Sequence, residues 1–146
     1  MSKSLIVYGS TTGNTETAAE YIAEVFAEKE FEVELKNVTD ASVDELDNSY
    51  DIVLFGCSTW GEDEIELQDD FIPLYESLEE ADLKNKKVSV FGCGDSDYTY
   101  FCGAVDAIEE KLEKMGAVIV GDSLKIDGDP ARAAITEWAK EIAEKI

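Results

Sequence analysis

Seven residues near the amino terminus, Gly9-Ser10-Thr11-Thr12-Gly13-Asn14-Thr15, have the types and order needed to hold a phosphate. The apolar run Leu5-Ile6-Val7-Tyr8 precedes them and a helical pattern begins near Glu16. Ser10, Thr11, Thr12 and Thr15 supply hydroxyls. Gly9 and Gly13 let the backbone turn tightly, so that amides beside a helix N-terminus point at an anion. No lysine or arginine lies in the loop. A nucleoside-triphosphate loop needs a Lys-Ser/Thr pair after its last glycine, and Asn14-Thr15 stands there instead. The dinucleotide pattern Gly-x-Gly-x-x-Gly is also absent. Taken alone, the loop also reads as an ordinary strand-to-helix turn capped by Ser/Thr.

Two further stretches carry large aromatics where loops seldom do. They are Ser58-Thr59-Trp60-Gly61-Glu62-Asp63-Glu64 and Gly94-Asp95-Ser96-Asp97-Tyr98-Thr99-Tyr100-Phe101. If the loops meet, Trp60 and Tyr98 can stack on either side of a flat ring whose phosphate sits in the Ser10–Thr15 cradle. Singly, each aromatic reads equally well as cover for a sheet edge. Together with the phosphate loop they favour a planar, phosphorylated ligand.

Histidine is absent, which removes the commonest general base and every Ser-His or Cys-His nucleophile pair. The chemistry is then expected to be a cofactor's. Cys57, Cys93 and Cys102 are odd in number and lack metal-ligand spacing, so they read as buried small residues rather than a zinc site or disulfide frame.

The elements that must position these loops follow from periodicity. Ser4 to Tyr8 is the first strand, and Ala18, Ala19, Ile22, Ala23, Val25 and Phe26 give the next helix one apolar face. Phe31 to Val38 alternates as an edge strand should, with Phe31, Val33 and Leu35 inward. A short helix is expected at Ser42 to Leu46. Ile52 to Cys57 is apolar throughout, the mark of a central parallel strand. Ser58 to Leu67 reads as a loop, followed by a helix capped by Asp69 or Asp70, with Phe71, Leu74, Tyr75 and Leu78 inward and Pro73 in its early turns. Lys87 to Gly92 is the fourth strand. A helix from about Ala104 buries Val105, Ile108, Leu112 and Met115 and stops at Gly116. The fifth strand opens at Val118 and extends to Ile126. Asp127-Gly128-Asp129-Pro130 then gives a turn with the proline at the first helical position, and Ile135, Trp138, Ala139, Ile142 and Ile146 stripe the last helix.

This alternation predicts one α/β domain over residues 1–146, a three-layer, doubly wound, five-stranded parallel sheet of order 2-1-3-4-5 with helices on both faces. In that order the loops after strands one, three and four converge at the carboxyl edge, beside the switch point between strands one and three.

A chain of 146 residues, 45% hydrophobic and 32% charged, is long enough for one sizeable core. Its formal charge of -22 disfavours nucleic acid and anionic membranes and favours steered encounters with a basic partner surface. Acidic surfaces also serve solubility and salt adaptation. No signal-peptide pattern follows Met1 and no apolar stretch is long enough to span a bilayer, so a cytoplasmic location is expected.

Gly9-Ser-Thr-Thr-Gly-Asn-Thr15, Cys57-Ser-Thr-Trp-Gly61, Gln68-Asp-Asp-Phe71 and Gly92-Cys-Gly-Asp-Ser-Asp-Tyr-Thr-Tyr-Phe-Cys-Gly103 resemble the flavodoxins, and most of all the short-chain flavodoxins of sulfate-reducing bacteria. The likeness runs through the whole chain, and no insertion splits Ala117 to Ile126, where long-chain members carry an extra loop. It implies a low-potential one-electron carrier, not an enzyme, that shuttles electrons between redox enzymes on non-covalently bound FMN cycling between semiquinone and hydroquinone. It implies that Ser10, Thr11, Thr12, Gly13, Asn14 and Thr15 bind the FMN phosphate, with Asn14, Ser58 and Thr59 near the ribityl chain. Trp60 and Tyr98 would flank the isoalloxazine, with Tyr100 and Phe101 in the same loop of the site. Backbone at Cys93, Gly94, Asp95 and Cys102 would meet the pyrimidine edge, and the Gly61 carbonyl would meet the N5 side. Partners would be reductases, hydrogenases or cytochromes with basic docking surfaces, met by a monomer.

Given a flavin, the acidic residues bear on its potential. One carboxylate about 10 Å from the ring, at an effective dielectric of about 40, opposes an added negative charge by roughly 0.8 kcal/mol. For a one-electron couple that is about 35 mV. Glu62, Asp63, Glu64, Glu66, Asp69, Asp70, Asp95 and Asp97 flank the loops, so even after screening they disfavour the fully reduced anion.

Two other readings of this fold fit poorly. A flavin reductase taking hydride from a nicotinamide nucleotide needs a cationic patch, and the three loops contain no basic residue. A phosphorylation-switched receiver domain needs acidic residues after strand one and at the end of strand three, where Gly9-Ser10 and Cys57-Ser58 stand.

Overall fold

The structure is a computed structural model that describes residues 2–9, 13–41, 46, 50–57, 59–60, 66–67, 71–94, 103–127 and 131–146, with backbone alone at 59–60, 66–67 and 94. Strands β1 (Lys3–Gly9), β2 (Glu32–Asn37), β3 (Ile52–Cys57), β4 (Lys87–Gly94) and β5 (Val118–Ile119 and Leu124–Asp127) form a parallel sheet of order β2-β1-β3-β4-β5. The helices are α1 (Asn14–Glu28), α2 (Ile72–Ser77), α3 (Gly103–Lys114) and α4 (Arg132–Glu144).

Side-chain alternation sends successive residues of each strand to opposite faces, and two apolar layers result. Leu5, Val7, Val53, Phe55, Val88 and Val90 pack with Leu74, Leu78, Val105, Ile108 and Leu112 from α2, the turn after it and α3. Ile6, Ile52, Leu54 and Phe91 pack with Ala18, Ile22, Phe26, Ile135, Trp138 and Ile142 from α1 and α4. Every residue of β3 is buried, as its unbroken apolar run requires. α3 ends as expected: Gly116, at φ 86°, donates to Glu113 and Ala117 donates to Leu112, which satisfies the last carbonyls.

Four local expectations change. The fifth strand is not continuous. Val118–Ile119 pairs with Lys87–Val88, where Val120 N–H still donates to the Val88 carbonyl (2.8 Å), Leu124–Asp127 pairs with Phe91–Gly94, and residues 121–123 leave the ladder with Gly121 at φ 65°. Side chains take over there, because a buried carbonyl needs a donor. The Ser89 hydroxyl donates to the Val120 carbonyl (2.8 Å) and the Trp138 indole N–H to that of Asp122 (2.7 Å). Second, β2 is shorter than predicted. Phe31 and Val33 pack on the α1 layer, but Leu35 is 39% exposed on β2, the edge strand of the sheet among the described residues.

Third, the stretch after β3 is not all loop: Thr59–Trp60 and Glu66–Leu67 pair as a small antiparallel ribbon. Fourth, α4 starts at Arg132 behind an extended Ala131 (φ -84°, ψ 109°), so Pro130 precedes the N-cap rather than opening the helix. α2 starts at Ile72 with Pro73 in its first turn and passes into a 3-10 turn over Leu78–Glu80. The proposed caps Asp69 and Asp70, residues 42–45 of the expected short helix, and 128–130 lie outside the described residues; Leu46 is fully buried. Among the described residues, no helix is long and apolar enough to cross a membrane.

Candidate ligand site at the carboxyl edge of the sheet

The crossover from β1 to β2 carries α1 to one face of the sheet, while the helices after β3 and β4 cover the other face. A cleft between the β1 and β3 crossovers follows from that reversal. Its floor is the paired end of the two strands, with Gly9 opposite Cys57. β4 runs beside β3 in the register Gly56 opposite Phe91 and continues through Cys93 to Gly94.

Gly13 is the N-cap of α1 at φ 94°, ψ -8°, and its carbonyl accepts the first helical hydrogen bond from Thr17 (2.9 Å). An L side chain is strained at such a φ. Among the described residues, the cap makes no side-chain hydrogen bond and, its chain neighbours apart, no atom lies within 4 Å of where a Cβ would stand. The positive dipole end of the helix suits an anion there. Gly9, by contrast, is the last residue of β1 in ordinary ladder pairing with Cys57, and only Gly13 of the two loop glycines takes a positive φ.

Thr15, in the first turn of α1, is fully buried, and its side chain hydrogen-bonds the Cys93 thiol at the end of β4. This one contact joins the start of the first helix to the strand end that the resemblance assigns to the ring. Burial pushes the Cys93 thiol above its usual value, partly offset by the Thr15 hydrogen bond, so it stays protonated where an ordinary cysteine begins to ionise. At the end of β1, Tyr8 is also raised, first by burial and then by Glu16, Glu20 and Asp40, against a hydrogen bond with Asn37. Cys57 and Cys93 are both buried and in no disulfide, as their small size and apolar context suggest.

Two features of the site escape a reading of local pattern. Phe55-Gly56-Cys57 closes β3 and Phe91-Gly92-Cys93 stands near the end of β4, and the parallel register interlocks the two tripeptides. A Cβ at Gly56 would sit 2.4 Å from the Phe91 ring. At Gly92 it would sit 2.1 Å from the Cys57 carbonyl oxygen and 2.8 Å from Val105 Cγ2 of α3. Both glycines hold β3, β4 and α3 together directly beneath the cleft. The repeated Phe-Gly-Cys is the signal that marks them.

Of the sequence-predicted positions, Gly13, Asn14 and Thr15 come together at the head of α1, and Cys93 and Gly94 at the end of β4. The backbone of Thr59 and Trp60 forms the ribbon, which runs against β4 and α3. Ser10, Thr11, Thr12, Ser58, Gly61, Asp95, Tyr98, Tyr100, Phe101 and Cys102 lie outside the described residues. The described part fits a phosphorylated flat cofactor. A helix N-terminus capped by glycine suits an anion, and extended backbone at Cys93–Gly94 lies across the switch point from it.

Comparison with known proteins gives concordant findings. The flavodoxin family model matches residues 6–141. The chain is 82% identical over 146 residues to a flavodoxin of Maridesulfovibrio salexigens, covering 100% of both chains. It is 56% identical over 144 residues to a flavodoxin of Nitratidesulfovibrio vulgaris, covering 97% of each. Among solved structures, oxidised Flavodoxin 2 from Bacillus cereus superposes with a TM-score of 0.90 at 36% identity, over 99% of this chain and 100% of that one.

Proposed function

Because the chain belongs to the flavodoxin family, and to its short-chain type from sulfate-reducing bacteria, we propose that it shuttles single electrons between redox enzymes at low potential on non-covalently bound FMN. FMN is the cofactor and electron transport the role. When bound, the flavin would supply the one-electron redox chemistry, and the chain's task is to hold it and set its surroundings.

The observation that carries this reading is the meeting of Thr15 and Cys93. That contact joins the head of α1 to the end of β4, which supports a phosphate site and a ring-edge site on one cleft. In this proposal Ser10, Thr11, Thr12, Gly13, Asn14 and Thr15 bind the phosphate, and Asn14, Ser58 and Thr59 line the ribityl chain. Trp60 and Tyr98, with Tyr100 and Phe101 nearby, exclude water from the ring faces. Backbone at Cys93, Gly94, Asp95 and Cys102 meets the pyrimidine edge, and the Gly61 carbonyl meets the N5 side. The chain turns over no substrate of its own and works as a cytoplasmic monomer.

The test is the visible absorption spectrum of the protein as purified and during stepwise reduction. Flavin bands that pass through a stable one-electron level are expected; a colourless protein that takes up no FMN, or direct two-electron bleaching, would overturn the reading.

Partner choice follows from charge. With a formal charge of -22, the chain is proposed to meet redox proteins with basic docking surfaces, such as reductases, hydrogenases or cytochromes. Steering of that kind is screened by salt. The second-order rate of electron transfer to a basic acceptor should fall by about tenfold or more between about 10 and 500 mM ionic strength. A rate independent of salt would count against an electrostatic encounter.

A further inference from the structure

Several of this chain's few cations sit at the amino edge of the sheet, at strand starts such as Lys87 and helix ends such as Lys114. Lys125 does not. It lies in the second piece of β5 as the register partner of Gly92, next to the Cys93–Gly94 end of β4. Its Nζ stands 2.8 Å from Asp106 Oδ1 and 3.0 Å from Oδ2, with the lysine side chain 35% exposed. Asp106 belongs to the first turn of α3, the helix that begins immediately after the loop carrying Tyr98 and Cys102. The ion pair thus bridges β5 and α3 at the side of the cleft where the ring's pyrimidine edge is placed.

Asp106 is favourable where it is, since a carboxylate in a first turn complements the helix dipole. The same carboxylate opposes any negative charge that builds on a ring nearby, and Lys125 cancels that field at close range. We propose that Lys125 is a tuning residue for electron transfer, a local counter-charge that keeps Asp106 from weakening the binding of fully reduced, anionic FMN. The inference rests on the FMN reading above. It concerns a position outside the three loops, and it makes the net field at the ring smaller than a count of carboxylates implies.

The experiment measures the dissociation constants of oxidised and fully reduced FMN and compares their ratio, reduced over oxidised, across variants. A unit charge on the order of 10 Å from the ring at an effective dielectric of about 40 changes that ratio about fourfold. Lys125→Met should raise the ratio by that factor and Asp106→Asn should lower it similarly. The double variant should return it close to the starting value, and Lys125→Arg should leave it unmoved. Lys114→Met removes an equal charge from the far end of α3, where Lys114 pairs with Glu110, and should move the ratio much less. A pair that merely straps β5 to α3 would change melting temperature and leave all the ratios alike. Tight FMN binding with the ratio unmoved in Lys125→Met, or moved equally by Lys114→Met, would overturn the assignment of Lys125. Absence of FMN binding in the unsubstituted protein would overturn the functional reading itself.

Discussion

Gly92→Ala is expected to lower the melting temperature of the apoprotein by about 10 °C, which for a chain of this size corresponds to a loss of about 3 kcal/mol. The added methyl would stand 2.1 Å from the Cys57 carbonyl oxygen and 2.8 Å from Val105 Cγ2. No rotamer change relieves the first contact, because the oxygen is backbone and belongs to the last residue of β3. The second closes the other route, since Val105 is fully buried between α3 and the sheet. Either β3 and β4 must separate at their carboxyl ends or α3 must lift. Both movements widen the cleft between Gly9–Cys57 and Cys93–Gly94, so FMN affinity should fall together with stability. Gly56→Ala is the informative comparison. There the obstacle is the edge of the Phe91 ring, and Phe91 is itself fully buried and lies against Trp138, with centroids 6.2 Å apart. A melting temperature for Gly92→Ala within about 2 °C of the parent would mean that the strand ends yield cheaply and that the close approach is not a structural requirement.

Those two glycines also show where reading a sequence stops. The inward stripes of α1 and α4 and the full burial of β3 follow from short-range periodicity, and Ala18, Ala19, Ile22, Val25, Phe26, Ile135, Trp138 and Ile142 are all buried as that periodicity requires. Strand order follows because right-handed crossovers leave few alternatives for five alternating strands. Gly56 and Gly92 gain their meaning only from the register that sets Gly56 beside Phe91, and register is a relation between distant segments. The gap in β5 has the same origin. Val118, Ile119 and Val120 look like any strand, and the carbonyls of Val120 and Asp122 at the gap are met by a hydroxyl on β4 and an indole on α4. Within the site, the proposed phosphate-loop residues rest on their order along the chain. The contact of Thr15 with Cys93 could not be read that way, because neither residue type predicts a partner that far away in sequence.

FMN should bind about 100 to 10,000 times more tightly than riboflavin, which shares its ring and ribityl chain and lacks its phosphate. Cost rather than attraction sets most of the difference. A buried donor left without its partner is penalised by about 1–3 kcal/mol, and a cradle built from several amides and hydroxyls leaves two or more in that condition when the phosphate is missing. Thr15 is fully buried, and the head of α1 is capped by a glycine that offers no side chain of its own to the first turn. The helix dipole adds attraction for a doubly charged group at that point, with no lysine or arginine in Gly9–Thr15 to share the task. The overall charge of -22 works against any anion, so the discrimination has to come from short-range donors, and added salt should strengthen FMN binding rather than weaken it. Titrating apoprotein with each ligand, followed by quenching of flavin fluorescence at low and high salt, measures both quantities. Equal affinity for FMN and riboflavin would mean that the loop between β1 and α1 is an ordinary turn and that the ring alone is recognised.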